Sequence, residues 1–364
     1  LTSINIRCNI FFENHQFPKK YSEDIMAHLD QILGLYGFSE DQSHGLLDAL
    51  DIVKCSVEIE ESVDKALNAL NEALQNCFLR PSGSERQQLN DKFKDEELRA
   101  QLIPLLSPFI QSIHTGDDIS TKLLLGATEN AAKERFKVLV DLENNGHHAD
   151  TVYLLGGKRD LWIDYEPIAT ELVVQRLAKN IPIEAAEIEV KETINNFFPD
   201  KDNIGTKRAA IVKRFTDKGI TWPTEGEMME RVAKNYENLQ SSQFILVDAP
   251  MKMNDKGQVV RPDTLDTFNQ LWKDHGEAIS IAASDLPGGK FSMAIVTTQP
   301  YGMYQQQQAI SAFYNKPVNI FVVADGISNP ANMNIGTAFD TFARTIYAGK
   351  NIVMSKLLES KEEL

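Results

Sequence analysis

Lys122-Leu123-Leu124-Leu125-Gly126-Ala127-Thr128-Glu129-Asn130 and Thr151-Val152-Tyr153-Leu154-Leu155-Gly156-Gly157-Lys158-Arg159 each carry a short apolar run into glycine and then into polar residues. Apolar runs of this length, bounded by glycine, read as strands buried on both faces. Between them Phe136, Leu139 and Val140 mark one face of a helix. The same alternation continues with strands expected over Gln243–Val247, Met293–Thr297 and Val318–Val323. Helices are expected over Glu166–Ala178, Glu225–Asn238, Thr264–Lys273 and Tyr301–Phe313. Parallel strands joined by helical crossovers predict a doubly wound, mostly parallel α/β sheet of Rossmann-like type. An excursion over residues 179–220, with a helix over Ile183–Phe198 and a turn at Pro199-Asp200-Lys201-Asp202, reads as an insertion, either a lid or a surface embellishment.

Upstream the period changes to 3.6. Ile25, Leu29, Ile32 and Leu33 share a helix face, as do Val63, Ala66, Leu67, Leu70 and Leu74, with Ser62 or the acids before it as cap. A breaker-rich patch between Arg80 and Asn90 reads as a loop or hinge, and a further helix is expected over Leu98–Ile113. The turn-forming cluster His114-Thr115-Gly116-Asp117-Asp118 marks the boundary between a helical N-terminal domain, residues 1–117, and the α/β domain, residues 118–364. At about 150 residues per domain, a chain of 364 residues accommodates both.

Composition narrows the partners. With 37 Lys+Arg against 52 Asp+Glu, the formal charge is −15. Such a surface repels the phosphate backbone of a long nucleic acid and gains nothing from an anionic membrane. No stretch approaches the roughly 18 uninterrupted apolar residues of a membrane helix, and Leu1–Phe12 is too short and polar for a secretory leader. Cys8, Cys55 and Cys77 are odd in number and lack zinc-site spacing, which reads as reduced thiols in a cytoplasmic setting, with non-classical export as the alternative.

In open α/β sheets, ligands bind beyond the carboxyl ends of the strands, so candidate binding residues follow the apolar runs. Gly126 and Thr128 open onto a helix N-terminus suited to an anion, or form a plain turn with Thr128 as cap. Gly156 and Gly157 free the backbone to wrap a phosphate, while Lys158 and Arg159 are either its cations or solvated turn residues. Trp162 supplies a stacking face or a core anchor. Arg261 is a candidate anion clamp beside Thr264, and Thr297 and Thr298 offer hydroxyls. Glu166 and Glu225 are the candidate acid/base residues, whereas Glu134 suits the surface. The Rossmann Gly-x-Gly-x-x-Gly is absent, and Gly288-Gly289-Lys290-Phe291 lacks the Ser or Thr of a P-loop. His147, His148 and His275 lie in surface turns, so neither a catalytic triad nor a metal site is expected.

The order of these segments resembles the YdcF/SanA/ElyC-like family of bacterial α/β proteins over about residues 120–325. Leu125-Gly126 followed by Glu134-Arg135, the paired Gly156-Gly157, Thr224-Glu225 with Met228, the Arg261–Thr267 segment and Val296-Thr297-Thr298 are similar to successive family motifs. Pro300, Tyr301 and Tyr304 stand where the family's His and Arg would be. The resemblance implies a Rossmann-like crevice for a nucleotide-like or phosphorylated small molecule, S-adenosylmethionine among the candidates, in a transferase, a hydrolase or a binding protein. The rival reading is an interaction protein, such as an exported bacterial effector, whose N-terminal helices hold a protein partner.

Overall fold

The structure, a computed structural model, describes residues 23–53, 55, 63–78, 93–113, 118–199, 203–236, 239, 243–254, 257 and 259–362. The expectations for Leu1–Phe12, Cys8, Ser62, the Arg80–Asn90 patch, residues 114–117 and residues 200–202 lie outside them.

The chain opens with helices α1 (Glu23–Leu35), α2 (Glu40–Ile52), α3 (Val63–Phe78) and α4 (Glu96–Leu106). The α/β part then runs β1 (Thr121–Leu125), α5 (Glu129–Asn144), β2 (Thr151–Gly157), α6 (Pro167–Leu177), α7 (Ile183–Phe197), α8 (Ile204–Thr216), α9 (Glu225–Ala233) and β3 (Gln243–Ala249). A hairpin of β4 (Lys252–Met253) and β5 (Val259–Val260) follows. The chain continues through α10 (Thr264–Ser284), β6 (Phe291–Thr298), α11 (Gly302–Ala312), β7 (Val318–Asp325) and α12 (Ile335–Glu362).

Five strands form one sheet in the order β3-β2-β1-β6-β7, with every neighbouring pair parallel. The expected α/β architecture is therefore present, and all five anticipated strands belong to it. Side-chain alternation sorts the sheet into two faces. Leu124, Val152, Leu154, Ala294 and Val296 pack with Phe136, Leu139, Val173 and Met228 on the α5, α6 and α9 side. Leu123, Leu125, Tyr153, Leu155 and Ile295 pack with Phe268, Leu271, Ala309 and Phe313 on the α10 and α11 side. Both faces being covered explains why the strands read as unbroken apolar runs. Lys122 is the polar exception inside β1. It is fully buried, and its ammonium pairs with Glu143, whose other carboxylate oxygen lies 2.8 Å from His148 Nδ1.

The last helix departs from the sequence boundary. Phe339, Phe342, Ala343 and Ile346 of α12 recur at spacings of three and four, and this stripe belongs to the core of the N-terminal helices with Leu33, Leu46, Leu67 and Leu74. Phe339 stacks on Phe78 at 4.3 Å between centroids, and Phe342 meets Phe109 at 4.2 Å. Helical periodicity shows that α12 has an apolar face but does not say which layer it covers. Ile113 exchanges backbone hydrogen bonds with Ala324 of 2.9 and 3.1 Å, strapping the helical layer to the edge of β7.

The cysteine expectation is corrected for two of the three residues. Cys55 and Cys77 form a disulfide with a Cα–Cα distance of 6.2 Å. Helix packing brings together two residues that are 22 apart in sequence. Among the described residues, no helix is long and apolar enough to cross a membrane.

Candidate functional site

Register brings the strand ends together. Leu125 lies opposite Leu155, Gly156 opposite Asp248, and Leu124 opposite Val296. Gly126 N donates to Leu155 O at 2.6 Å, so Gly126, directly after β1, lies beside the Leu155-Gly156 end of β2. The order of the sheet places the switch point between β1, which continues into α5 on one face, and β6, which continues into α11 on the other.

The turn after β2 folds back on itself through Arg159 and Glu166. Arg159 is 8% exposed and Glu166 is fully buried. Arg159 Nη1 and Nη2 donate to Glu166 Oε2 and Oε1 at 3.0 and 2.9 Å, a two-pronged pair. Arg159 Nε donates to Glu225 Oε1 at 3.2 Å, and the carbonyls of Asp160 and Ala127 take its remaining donors at 3.3 and 3.1 Å. All five donors of a guanidinium are thereby engaged within the protein, so Arg159 joins loops instead of presenting an anion clamp. Glu166 also accepts from Trp162 N at 2.7 Å and from Glu129 N at 3.1 Å. Glu129 Oε2 reciprocates by accepting from Ile168 N at 2.8 Å. Glu166 thus ties the first turns of α5 and α6 to the turn after β2, an architectural part in place of the acid/base part its sequence position suggested.

Glu225 stands at the centre of this edge. Helix α9 begins there because Thr224 and Glu227 form a reciprocal cap, and because glycines allow backbone to meet backbone. A Cβ on Gly156 would lie 2.9 Å from Gly226 Cα. Glu225 Oε2 would be 2.7 Å from a Cβ on Gly126 and 3.6 Å from one on Gly157, while Pro262 crowds Gly157 at 2.9 Å. The space the glycines free is therefore filled by the protein's own carboxylate and proline, not left open for a phosphate. The Glu225 side chain remains 14% exposed. Burial pushes its carboxyl above the ordinary range, against the pull of Arg159, Arg261 and Arg135. A Gly126→Ala substitution must displace Glu225 and also meets Leu155 O at 2.9 Å. It is expected to destabilise the fold by about 1–3 kcal/mol, read by urea unfolding, and an unchanged midpoint would contradict this packing.

Two further residues belong to this edge, Arg135, named above only within a family-like motif, and Asp248, to which no site role was assigned. Arg135 Nη1 donates to the carbonyls of Leu125 and Gly126 at 2.7 and 2.8 Å, closing the end of β1. Its signal was a cation beside the apolar stripe of Ala132, Phe136 and Leu139. Asp248 is the penultimate residue of β3, and burial raises its carboxyl despite the nearby Lys158. Lys158 and Arg261 are exposed at the rim, the latter close enough to act on Glu225. Thr264 opens α10 next to its cap Asp263. Thr128 occupies the cap position of α5 without a side-chain capping bond. Thr297 is fully buried, and Thr298 ends β6. Trp162 lies beneath the guanidiniums of Arg208 and Arg159 at 4.1 and 5.0 Å, an anchor between the insertion helix α8 and the turn. Glu134 pairs with Lys137 on the surface.

Among the described residues, no group of three or more His, Cys, Asp or Glu could hold a metal. Two cavities flank the α6 side: one of about 260 Å³ beside Val174 and Ile194, and one of about 370 Å³ lined by Glu129, Lys133, Glu171, Arg231 and Lys234.

No family model matches the chain, and no curated protein matches it. Among solved structures, the crystal structure of Signal recognition particle receptor FtsY from Elizabethkingia anophelis is similar over 90% of this chain and 88% of that chain, at 13% identity and a TM-score of 0.23. A likeness that low carries no argument.

Proposed function

We propose that this protein binds a phosphorylated or nucleotide-like small molecule along the carboxyl edge of its sheet, with Glu225 as the group that exchanges a proton with it. The placement of Glu225 carries this reading: a part-exposed carboxylate in a mostly buried setting, aimed by Arg159 at the end of β1 and β2. Groups perturbed by burial beside a specific charged partner are the usual candidates for acid/base work. Lys158 and Arg261 are the rim cations that attract an anionic ligand to an acidic protein. The reaction class that suits this arrangement is group transfer or hydrolysis, and S-adenosylmethionine belongs among the ligands to be screened.

A thermal-shift screen with nucleotides, sugar phosphates and S-adenosylmethionine tests it. A ligand at about 100 times its Kd adds roughly 2.7 kcal/mol of stability, and combined Lys158→Ala and Arg261→Ala substitution is expected to remove that shift. Silence across the screen, or a shift indifferent to these substitutions, rejects the reading. Glu225 also predicts a pH signature. Between its ordinary value of 4.5 and its raised value in the fold, the native state binds more protons than the unfolded chain. Stability contributed by this group therefore falls as pH rises through that window. Glu225→Gln should flatten the slope while leaving the Arg159–Glu166 pair intact, and an identical slope in the variant would contradict the assignment.

The rival, a protein-interaction role for the helical layer, draws on that layer having a core of its own. Because α12 completes this core, the reading is tested by capture with the full chain and not with residues 1–115.

A further inference from the structure

We propose an anion seat at the first turn of α11, on the switch point between β1 and β6 and separate from the rim cations Lys158 and Arg261. This rests on the reading that a phosphorylated ligand lies along the strand ends, and it extends that reading by naming where a phosphoryl group sits and how long the ligand is. Helix α11 has eleven residues and starts at Tyr301 without a side-chain cap. Tyr301 N and Gln305 N are bonded to Thr298 O and Tyr301 O. The N–H groups of Gly302 and Met303 have no acceptor among the described residues, as the opening turn of a helix dictates.

The second observation is Thr297. It is fully buried, and its Oγ1 has no hydrogen-bond partner. Met293 and Ile295 of the same strand share a core with Ala309 of α11 and with Phe313, the residue that ends this helix. Alternation along β6 therefore turns Thr297 to the α11 side, at the strand end where α11 starts. Gln305, one turn into α11 and 6% exposed, also has an unpartnered Oε1. Its amide can rotate to present N–H instead. A hydroxyl, an amide and two backbone N–H groups beside a helix N-terminus are the donors a phosphoryl group requires. Arg344 of α12 is hydrogen-bonded to Tyr304 in the same turn and paired with Asp340 at 3.0 Å. Asp325, at the end of β7, is one residue past Ala324 of the α11-side core and so alternates to the other face.

The seat lies two strand spacings from Gly157, about 10 Å. A ligand that occupies it while reaching Glu225 and Arg261 is nucleotide-sized; a triose phosphate is too short.

Calorimetric titration of the full chain with inorganic phosphate tests the seat. Thr297→Val, which replaces an unpartnered hydroxyl by a methyl of the same shape, should leave the melting temperature unchanged or raise it and weaken phosphate binding about tenfold or more. Thr297→Ser keeps the hydroxyl and should retain binding, and Lys158→Ala should change it less than about twofold, in keeping with weak screened surface electrostatics. Phosphate binding that survives Thr297→Val but is lost with Lys158→Ala and Arg261→Ala overturns the seat and leaves the proposed function standing. Absence of any phosphate response in the wild type also overturns it, and a silent nucleotide screen would remove the reading beneath it as well.

Discussion

Glu166→Ala is expected to destabilise the protein by about 3–5 kcal/mol, the cost of leaving a buried charge without its partner. The expectation follows from position and geometry. Glu166 is fully buried, both its oxygens accept two hydrogen bonds, and the guanidinium it neutralises is 8% exposed. Glu225 accepts from only one edge of Arg159, so it cannot replace the two-pronged contact. Loss of Glu166 also frees Glu129 N and Trp162 N, so the first turn of α5 and the turn after β2 should loosen together. Glu134→Ala is the control, since the Glu134–Lys137 pair is solvent-exposed and such pairs contribute little; no measurable change is expected there. Urea unfolding of both variants decides the matter, and equal midpoints would remove Glu166 from the centre of the network. A ligand response lost in Glu166→Ala but kept in Glu134→Ala would follow from displacement of Glu225.

The second large effect concerns the helical layer. Reduction of the Cys55–Cys77 bond, or replacement of both cysteines by serine, is expected to cost about 3 kcal/mol, the loop-closure term for a bridge between residues 22 apart. The loss should appear in the core shared by α3 and α12, because Cys77 lies in the last turn of α3 beside Phe78, which stacks on Phe339. Thiol alkylation with and without a reductant, followed by mass analysis of the peptides, reads the bond directly, and melting under the two conditions reads its contribution. Alkylation of both residues without reductant, in protein kept from reducing agents, would reject it. A bond retained through purification from the native cell would point to an oxidising compartment, where such bridges persist, in place of the cytoplasmic setting inferred from cysteine number.

The strands could be read in the chain because those at the centre of the sheet are buried on both faces, which forces Leu123-Leu124-Leu125 and Met293-Ala294-Ile295-Val296 to be apolar without interruption. The short hairpin of β4 and β5 could not, since Met253 and Val259 are exposed and carry no periodic signal. Helix α8 was hidden for a related reason: only Ile211 and Phe215 are buried, and Lys207, Arg208, Lys213 and Arg214 interrupt any apolar period. At the candidate site, the glycines at the strand ends were expected to admit a ligand, whereas the structure packs protein atoms against them. A glycine reports that something approaches closely, and here the neighbours are Glu225, Pro262 and Gly226. Arg159 was read as a ligand cation because Glu166, seven residues on, returns to it only when the turn closes.

Local pattern alone determined the layered α/β body, the parallel course of its strands and the strand ends as the place to look, because burial and backbone period are written into every residue of an element. Tertiary structure alone decided which charges are consumed by one another, which cysteines meet, and which layer receives α12. Those outcomes depend on the distance between residues far apart in the chain, and a single sequence carries no record of that distance until the chain has folded.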